Sequence, residues 1–291
     1  MKLSLVIPAK SKSDPKLQEL LASIDSQDFP KSEIEVLVIC DGTSESAKAI
    51  GIRKAKGEVI GILASDNELI DKTHLSYSYE WAKHGYSYST KYYYNPTDDI
   101  LNRYFALIGG NDPLCFYMRK NDKSSYFSYY NNRLGSIGDN GFFIRKDLIE
   151  KTDLDNYYHI DNAIEAIKYS SGVVTDSPIW HKTGGNIFKF FAKRYRYGFQ
   201  HAFNKNRRWH LVDFSKPQDI WRLTWFIFCS VTLVEPLCLS IRGYLKLRDV
   251  AWFLHPVVCL MTVLTYGCLM LHLFGSSVFR LLSAPMVARR A

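Results

Sequence analysis

The first 70 residues alternate short apolar runs with stretches of helical spacing. LSLVIP (Leu3 to Pro8), IEVLVIC (Ile34 to Cys40) and VIGIL (Val59 to Leu63) are nearly all apolar, and the third halts at Ser65-Asp66-Asn67. Short β-branched runs of this kind predict strands buried on both faces. KLQELLASIDSQ instead places Leu17, Leu20, Leu21 and Ile24 on one face of a helix, and a second helix is expected through SAKAIGIRKAKG. Strands separated by helices predict a parallel sheet whose ligand-binding loops lie at the carboxyl ends of the strands, where Asp41 and Asp66 fall.

Periodicity fades from 71 to about 135, a stretch rich in Tyr, Asn and Ser that yields no assignable element. It returns with GDNGFFIRKDLIEK, a turn leading into a strand and helix, then HIDNAIEAIKYSSG, a helix, and VVTDSPIWHK, a strand with an exit loop. From Gly184 aromatic residues interleave with Lys189, Lys193, Arg194, Arg196, Arg207 and Arg208. That mixture suits a helix lying among lipid headgroups. It also suits nucleic acid, but residues 223–241 and 250–274 downstream are apolar and each long enough to cross about 30 Å of hydrocarbon as a helix, which favours lipid. The expected organisation is a domain over 1–183, an interfacial region over 184–218, and a C-terminal transmembrane hairpin within 219–291. Glu235-Pro236 inside the first apolar segment marks a kink or a re-entrant turn as the alternative to a span.

Composition adds three constraints. At 291 residues and 47% hydrophobic, the chain has material for one large core plus an appendage. A net charge of +8 points to a polyanionic neighbour: nucleic acid, an anionic membrane or a phosphorylated ligand. Six scattered cysteines without a CxxC pair argue against a metal cage or disulfide framework and for a reducing compartment. The opening MKLSLVIPAK has too short an apolar run for a signal peptide and is expected to begin a buried strand.

A carboxylate at the carboxyl end of a buried parallel strand is placed to hold a divalent cation, which can neutralise a departing diphosphate. For Asp66 the competing reading is an ordinary Ser-Asp-Asn turn. The surrounding pieces shift that balance. LVIPAK, LLASIDSQDFPKSEIEVLVICDGTSES and AIGIRKAKGEVIGILASDNEL resemble, in order and spacing, the N-terminal half of family 2 glycosyltransferases of the GT-A fold. GDNGFFIRKDLIE resembles that family's acceptor-side segment, HIDN its later "ED" segment, and KRYRYG an element of its membrane-attached members. Two departures stand out: Cys40 replaces the first acid of the "DD" turn, and Ala64 replaces the first Asp of DxD, leaving Asp66, helped by Asn67 or Glu68.

The resemblance implies an α/β GT-A (Rossmann-like) domain performing inverting sugar transfer from a nucleotide-diphosphate sugar, with Mg²⁺ or Mn²⁺. It implies donor contacts at Pro8, Lys10, Asp41, Lys54, Ser65 and Asp66, acceptor contacts at Gly138, Asn140 and Gly141, and metal at Asp66 with His181. Asp161 becomes the general base and Asp139 the reserve candidate. The competing readings are that Asp161 caps its helix and that His181 is a structural donor. Arg194 and Arg196 are candidates for donor or lipid phosphates, or for a snorkelling interfacial face. Tyr92, Tyr93 and Tyr94 stack on sugar or merely pack, and Asn111-Asp112-Pro113 is a loop facing the active site or a plain turn. The expected partners are the sugar nucleotide, a lipid-linked or polysaccharide acceptor and membrane lipids rather than nucleic acid. The catalytic domain is expected on the cytoplasmic face of the cell inner or plasma membrane. Direct transfer to polyprenyl phosphate, which needs no base, and a catalytically degenerate membrane-tethered scaffold are the alternatives.

Overall fold

A computed structural model of the chain describes residues 1–118, 140–182, 185–202, 208 and 210–283. Its first half runs β1 (Leu3–Pro8), α1 (Pro15–Asp25), β2 (Ile34–Ile39), α2 (Ser44–Lys54), β3 (Val59–Ile62) and β4 (Asn67–Leu69). Next come α3 (His74–Lys83), β5 (Tyr86–Tyr92), α4 (Ile100–Ile108) and α5 (Pro113–Tyr117). The remainder of the sheet domain is β6 (Phe142–Arg145), α6 (Lys146–Ile149), α7 (His159–Lys168) and β7 (Ser171–His181). Four helices complete the chain: α8 (Ile187–Ala202), α9 (Pro217–Thr232), α10 (Val234–Lys246) and α11 (Leu254–Ser283).

Two of the apolar runs, β1 and β3, lie inside the sheet as expected, whereas β2 is an edge strand and only half-buried, because one of its sides has no neighbouring strand. β1 is buried at every position and pairs in parallel with β2 and β3. Alternate residues face opposite layers: Val6, Ile60 and Ile62 meet Ala49 and Ile52 of α2, whereas Leu5, Ile7 and Leu63 meet Leu17 and Leu20 of α1. Each such fully buried side chain contributes about 1.5–3 kcal/mol. α1 starts where Asp14 accepts from the Lys16 N–H and Pro15 supplies a preset φ. The seven strands lie in the order β2-β1-β3-β6-β5-β7-β4. β6 is antiparallel to both β3 and β5, β5 is parallel to β7, and β4 is antiparallel to β7.

The stretch without periodicity supplies α3, β5, α4 and α5 up to its last described residue. β5 reads YSYSTKY, a polar strand that alternation could not reveal because Ser87 and Thr90 are buried in it.

Of the two expected apolar segments, the first is bent and the second is one long helix. The first segment breaks at Leu233, which takes a left-handed φ of 60°, so α9 and α10 meet at 79°. Pro236 lies in the first turn of α10, where a missing N–H costs no helical hydrogen bond. Over Val250–Gly275 the chain is helical and apolar, with mean hydropathy 2.0.

Gly61 lies where β3 crosses β6, and an added Cβ would fall 2.5 Å from Phe143 Cε1 and 2.8 Å from Leu5 Cδ2. Gly61→Ala is therefore expected to lower stability by about 1–3 kcal/mol through overpacking. Denaturant unfolding of the two proteins side by side measures it.

Candidate active site

The carboxyl edge of the parallel strands collects the chain's chemistry. β1 ends at Pro8, followed by exposed Lys10; β2 ends before exposed Asp41; β3 ends before Ala64-Ser65-Asp66. β6 runs the opposite way, so its entry turn, Asn140-Gly141, arrives at the same edge. Asp139 and Gly138, expected beside it, lie outside the described residues.

Asp66 meets His181 because of strand register. β4 pairs with β7 so that Asn67 is opposite His181, and one residue further the Lys182 N–H donates to the Asp66 carbonyl at 3.0 Å. The two side chains then lie side by side, His181 Nε2 to Asp66 Oδ1 at 3.3 Å, with the carboxylate side chain 30% exposed. Burial pushes the Asp66 carboxyl upward, but the His181 hydrogen bond and charge, with Lys16, outweigh it and hold it below the usual carboxylate range. Tyr92 packs on the imidazole with ring centres 4.9 Å apart. Its hydroxyl is pushed up to about 12 by burial and by the Asp66 charge, against the opposing Asn140 amide.

The turn after β3 is fixed by amides. The Ala64 N–H donates to Asn67 Oδ1 at 2.9 Å and to Asn140 Oδ1 at 3.1 Å, so the position that lacks a carboxylate instead ties β4 and the β6 turn together. Asn67 is thereby committed, and Glu68 is held by Lys182 at 2.6 Å. Gly141 has φ +68°, and a Cβ there would fall 2.3 Å from Thr90 Oγ1. Only glycine suits that position.

For a divalent cation, Asp66 and His181 offer one carboxylate and one imidazole side by side; His181 Nδ1 is buried without a hydrogen-bond partner among the described residues. Among the described residues no cluster of three His, Cys, Asp or Glu exists. Two protein donors of this kind fit a cation whose remaining positions come from water and a diphosphate.

A second group stands at the same edge where α2 and α7 begin. Thr43 caps α2 by accepting from the Ser46 N–H at 3.2 Å. Glu45 in the first turn of α2 accepts from His159 N at 3.1 Å and pairs with His159 Nδ1 at 2.9 Å, fastening the two helix starts together. Burial raises the Glu45 carboxyl, but the His159 hydrogen bond and Lys48 prevail and bring it down to about 2. Glu45 was not singled out in the sequence; its place three residues before Lys48 in the opening turn of a helix is the one local signal.

Asp161 does not cap α7. The helix starts at His159, its cap position is Tyr158, and Asn162 Oδ1 accepts the Tyr158 N–H at 2.7 Å. Asp161 is fully buried; Oδ2 accepts from the Arg208 N–H at 2.6 Å, and Oδ1 has no partner among the described residues. The Arg208 guanidinium grips Glu165 at 2.7 and 3.1 Å and reaches Asp153, which seats that segment over the start of α7.

Other sequence candidates sit elsewhere. Lys54 ends α2, about 15 Å along the helix from Ser44 and away from the carboxyl edge. Arg194 spends its guanidinium inside the protein, on Asp112, on the Asn111 carbonyl at 2.7 Å and on the Tyr266 hydroxyl at 3.1 Å. It is thereby assigned to holding α8 against α5 and α11 rather than to a phosphate. Arg196 is exposed on α8. Asn111-Asp112-Pro113 is a helix start, with Asp112 accepting from the Leu114 N–H at 2.9 Å. Tyr93 packs edge-on to Trp180, and the Tyr94 hydroxyl bonds Asp249, so both are structural.

No protein-family model matches the chain, and no curated sequence matches it. Among solved structures it is similar to the mannosyltransferase PcManGT from Pyrobaculum calidifontis, in complex with GDP-Man and Mn²⁺, at TM-score 0.51 and 14% identity over 92% of this chain and 87% of that one. That likeness shows the fold alone. S. aureus TarS 1–349 matches with TM-score 0.43 and 14% identity over 68% of this chain, and its UDP complex with TM-score 0.43 and 16% identity over 83%. The chain spans 66% of TarS 1–349 and 40% of the longer TarS structure.

Glu45→Gln is expected to lower stability by about 1–3 kcal/mol at neutral pH. A carboxylate held low in the folded state contributes fully above its ordinary pKa of 4.5, and that contribution is lost as pH falls toward about 2. Urea unfolding across that window therefore shows parent and variant converging as the pH drops.

Proposed function

We propose that the chain transfers a sugar, with inversion, from a nucleoside-diphosphate sugar to an acceptor held at a membrane surface. The observation that carries the reading is the pairing of Asp66 with His181 at a strand-end edge that also presents Asp41. Asp41 is the donor's nucleoside contact, with Pro8, Lys10 and Ser65 around it. Asp66 and His181 are the side chains that would hold Mg²⁺ or Mn²⁺, which when bound supplies charge to stabilise the departing diphosphate. Support for a cation comes from PcManGT, solved with Mn²⁺ and GDP-Man. Asn140 and Gly141 shape the acceptor side, where the glycine lets the turn close over β3.

In this reading Asp161 takes the proton from the acceptor hydroxyl as that oxygen attacks the anomeric carbon. Its Oδ1, buried without a partner among the described residues while Oδ2 is engaged by the Arg208 N–H, supports the role. Its complete burial beneath the Arg208 backbone favours a second reading. An acceptor that is itself a phosphate needs no base, and Asp161 would then serve only to seat the Arg208 segment.

Asp66→Asn is expected to reduce turnover at least 100-fold, and release of nucleoside diphosphate from UDP-, GDP- and dTDP-sugars with Mn²⁺ measures it. Asp161→Asn separates the two readings. Loss of turnover with unchanged nucleotide affinity supports the base; activity retained toward a polyprenyl phosphate and absent toward hydroxyl acceptors transfers the assignment to the phosphate reaction.

A further inference from the structure

The C-terminal helices expose many large apolar side chains. Trp221, Trp225 and Phe228 form a stacked ladder on α9 and are 66%, 44% and 56% exposed. Leu271 and Phe274 on α11 are 74% and 71% exposed. Contiguous exposed surface of this kind is covered by a membrane or a partner. Basic residues accompany it along the chain: Lys189, Lys193 and Arg196 lie on α8, Arg242 and Lys246 in α10, and Arg248 just after it. That charge complements anionic headgroups, so the occupant is lipid.

How the helices meet that lipid follows from what lies alongside α11. Phe190 and Phe191 of α8 share one apolar cluster with Trp252 and Val258. Further along, Arg194 bonds Tyr266 at 3.1 Å, Gly198 lies close against Leu269, and the hydroxyl of Tyr195 bonds His272 Nδ1 at 2.7 Å. The two helices therefore run side by side in the same direction. α8 cannot cross hydrocarbon, because it carries Lys189, Lys193, Arg194 and Arg196 in 16 residues. Where α8 stays at the surface, its companion stays too, through His272. Beyond His272 only residues 273–283 of α11 remain, about 16 Å of helix against about 30 Å of hydrocarbon. α9 and α10 have 16 and 13 residues, about 24 and 20 Å, and meet at 79°. Val250–Gly275 is long and apolar enough to cross alone, and it is the charged companion α8 that keeps it at the surface; α9 and α10 are each too short.

We infer that α8 to α11 form a raft embedded in one anionic leaflet, none of these four helices crossing the bilayer. The inference does not rest on sugar transfer, and its test does not read activity. The full chain, tagged at both ends, is reconstituted into sealed vesicles of phosphatidylcholine and phosphatidylglycerol that enclose a protease-sensitive reporter. Protease is then added outside. With the reporter intact, both tags are expected to be lost to equal extents. Loss of the N-terminal tag with retention of the C-terminal one places the chain end across the bilayer and overturns the inference.

Discussion

The pairing of β4 with β7 is the constraint on which the site depends. Because side chains alternate across a strand, a slip of one residue would turn His181 to the other face and leave Asp66 with a solvent-screened lysine as its nearest cation. In register, a carboxylate 115 residues upstream in the chain stays ionised although largely desolvated. The same register places Lys182 on Glu68 and Glu19, which closes the outer side of the turn with ion pairs and leaves Asp66 to His181. The Ala64 amide completes the arrangement from below by holding two asparagine side chains at once.

A second layer of organisation keeps the helix starts together. Glu45 and His159 join α2 to α7, and Arg208 bonds α7 at Glu165 and the Asp161 carboxylate. The edge where ligands are expected is thus bounded on one side by the β4–β7 turn and on the other by a pair of fastened helices. Both boundaries are polar, whereas the sheet beneath is apolar on both faces. Polar groups in such a position are held by geometry and have little freedom to reorganise, which is the condition under which charges act strongly on a bound diphosphate.

Local patterning was enough to read the parallel half of the sheet. Leu3–Pro8, Ile34–Ile39 and Val59–Ile62 are strands because their apolar residues serve two layers, and Asp41 and Asp66 lie at strand ends for the same reason. β5 was hidden, since a buried strand made of Tyr, Ser and Thr has no hydrophobic signature. His181 was legible as a residue type, but its partner was not, because the partner is set by a non-local ladder. The break at Leu233 was placed near Pro236 by the sequence, whereas proline in a first helical turn is harmless and the bend falls on a left-handed leucine. Arg194 read as a phosphate ligand because its acid, Asp112, lies 82 residues away in a segment without periodicity.

The hydrogen bonds of α4 and α5 to the C-terminal helices carry a further meaning. Tyr104 bonds His255 at 2.8 Å, Tyr117 bonds Glu235, and Leu114 and Met118 bury themselves against Phe226 and Cys259. The sheet domain therefore has no finished underside of its own. Cutting the chain ahead of α9 would strip a hydrophobic floor from α4 and α5 and take from the Tyr104 and Tyr117 hydroxyls their partners His255 and Glu235. The sheet domain and the C-terminal helices are thus joined through packed side chains and buried hydrogen bonds rather than by a loose tether.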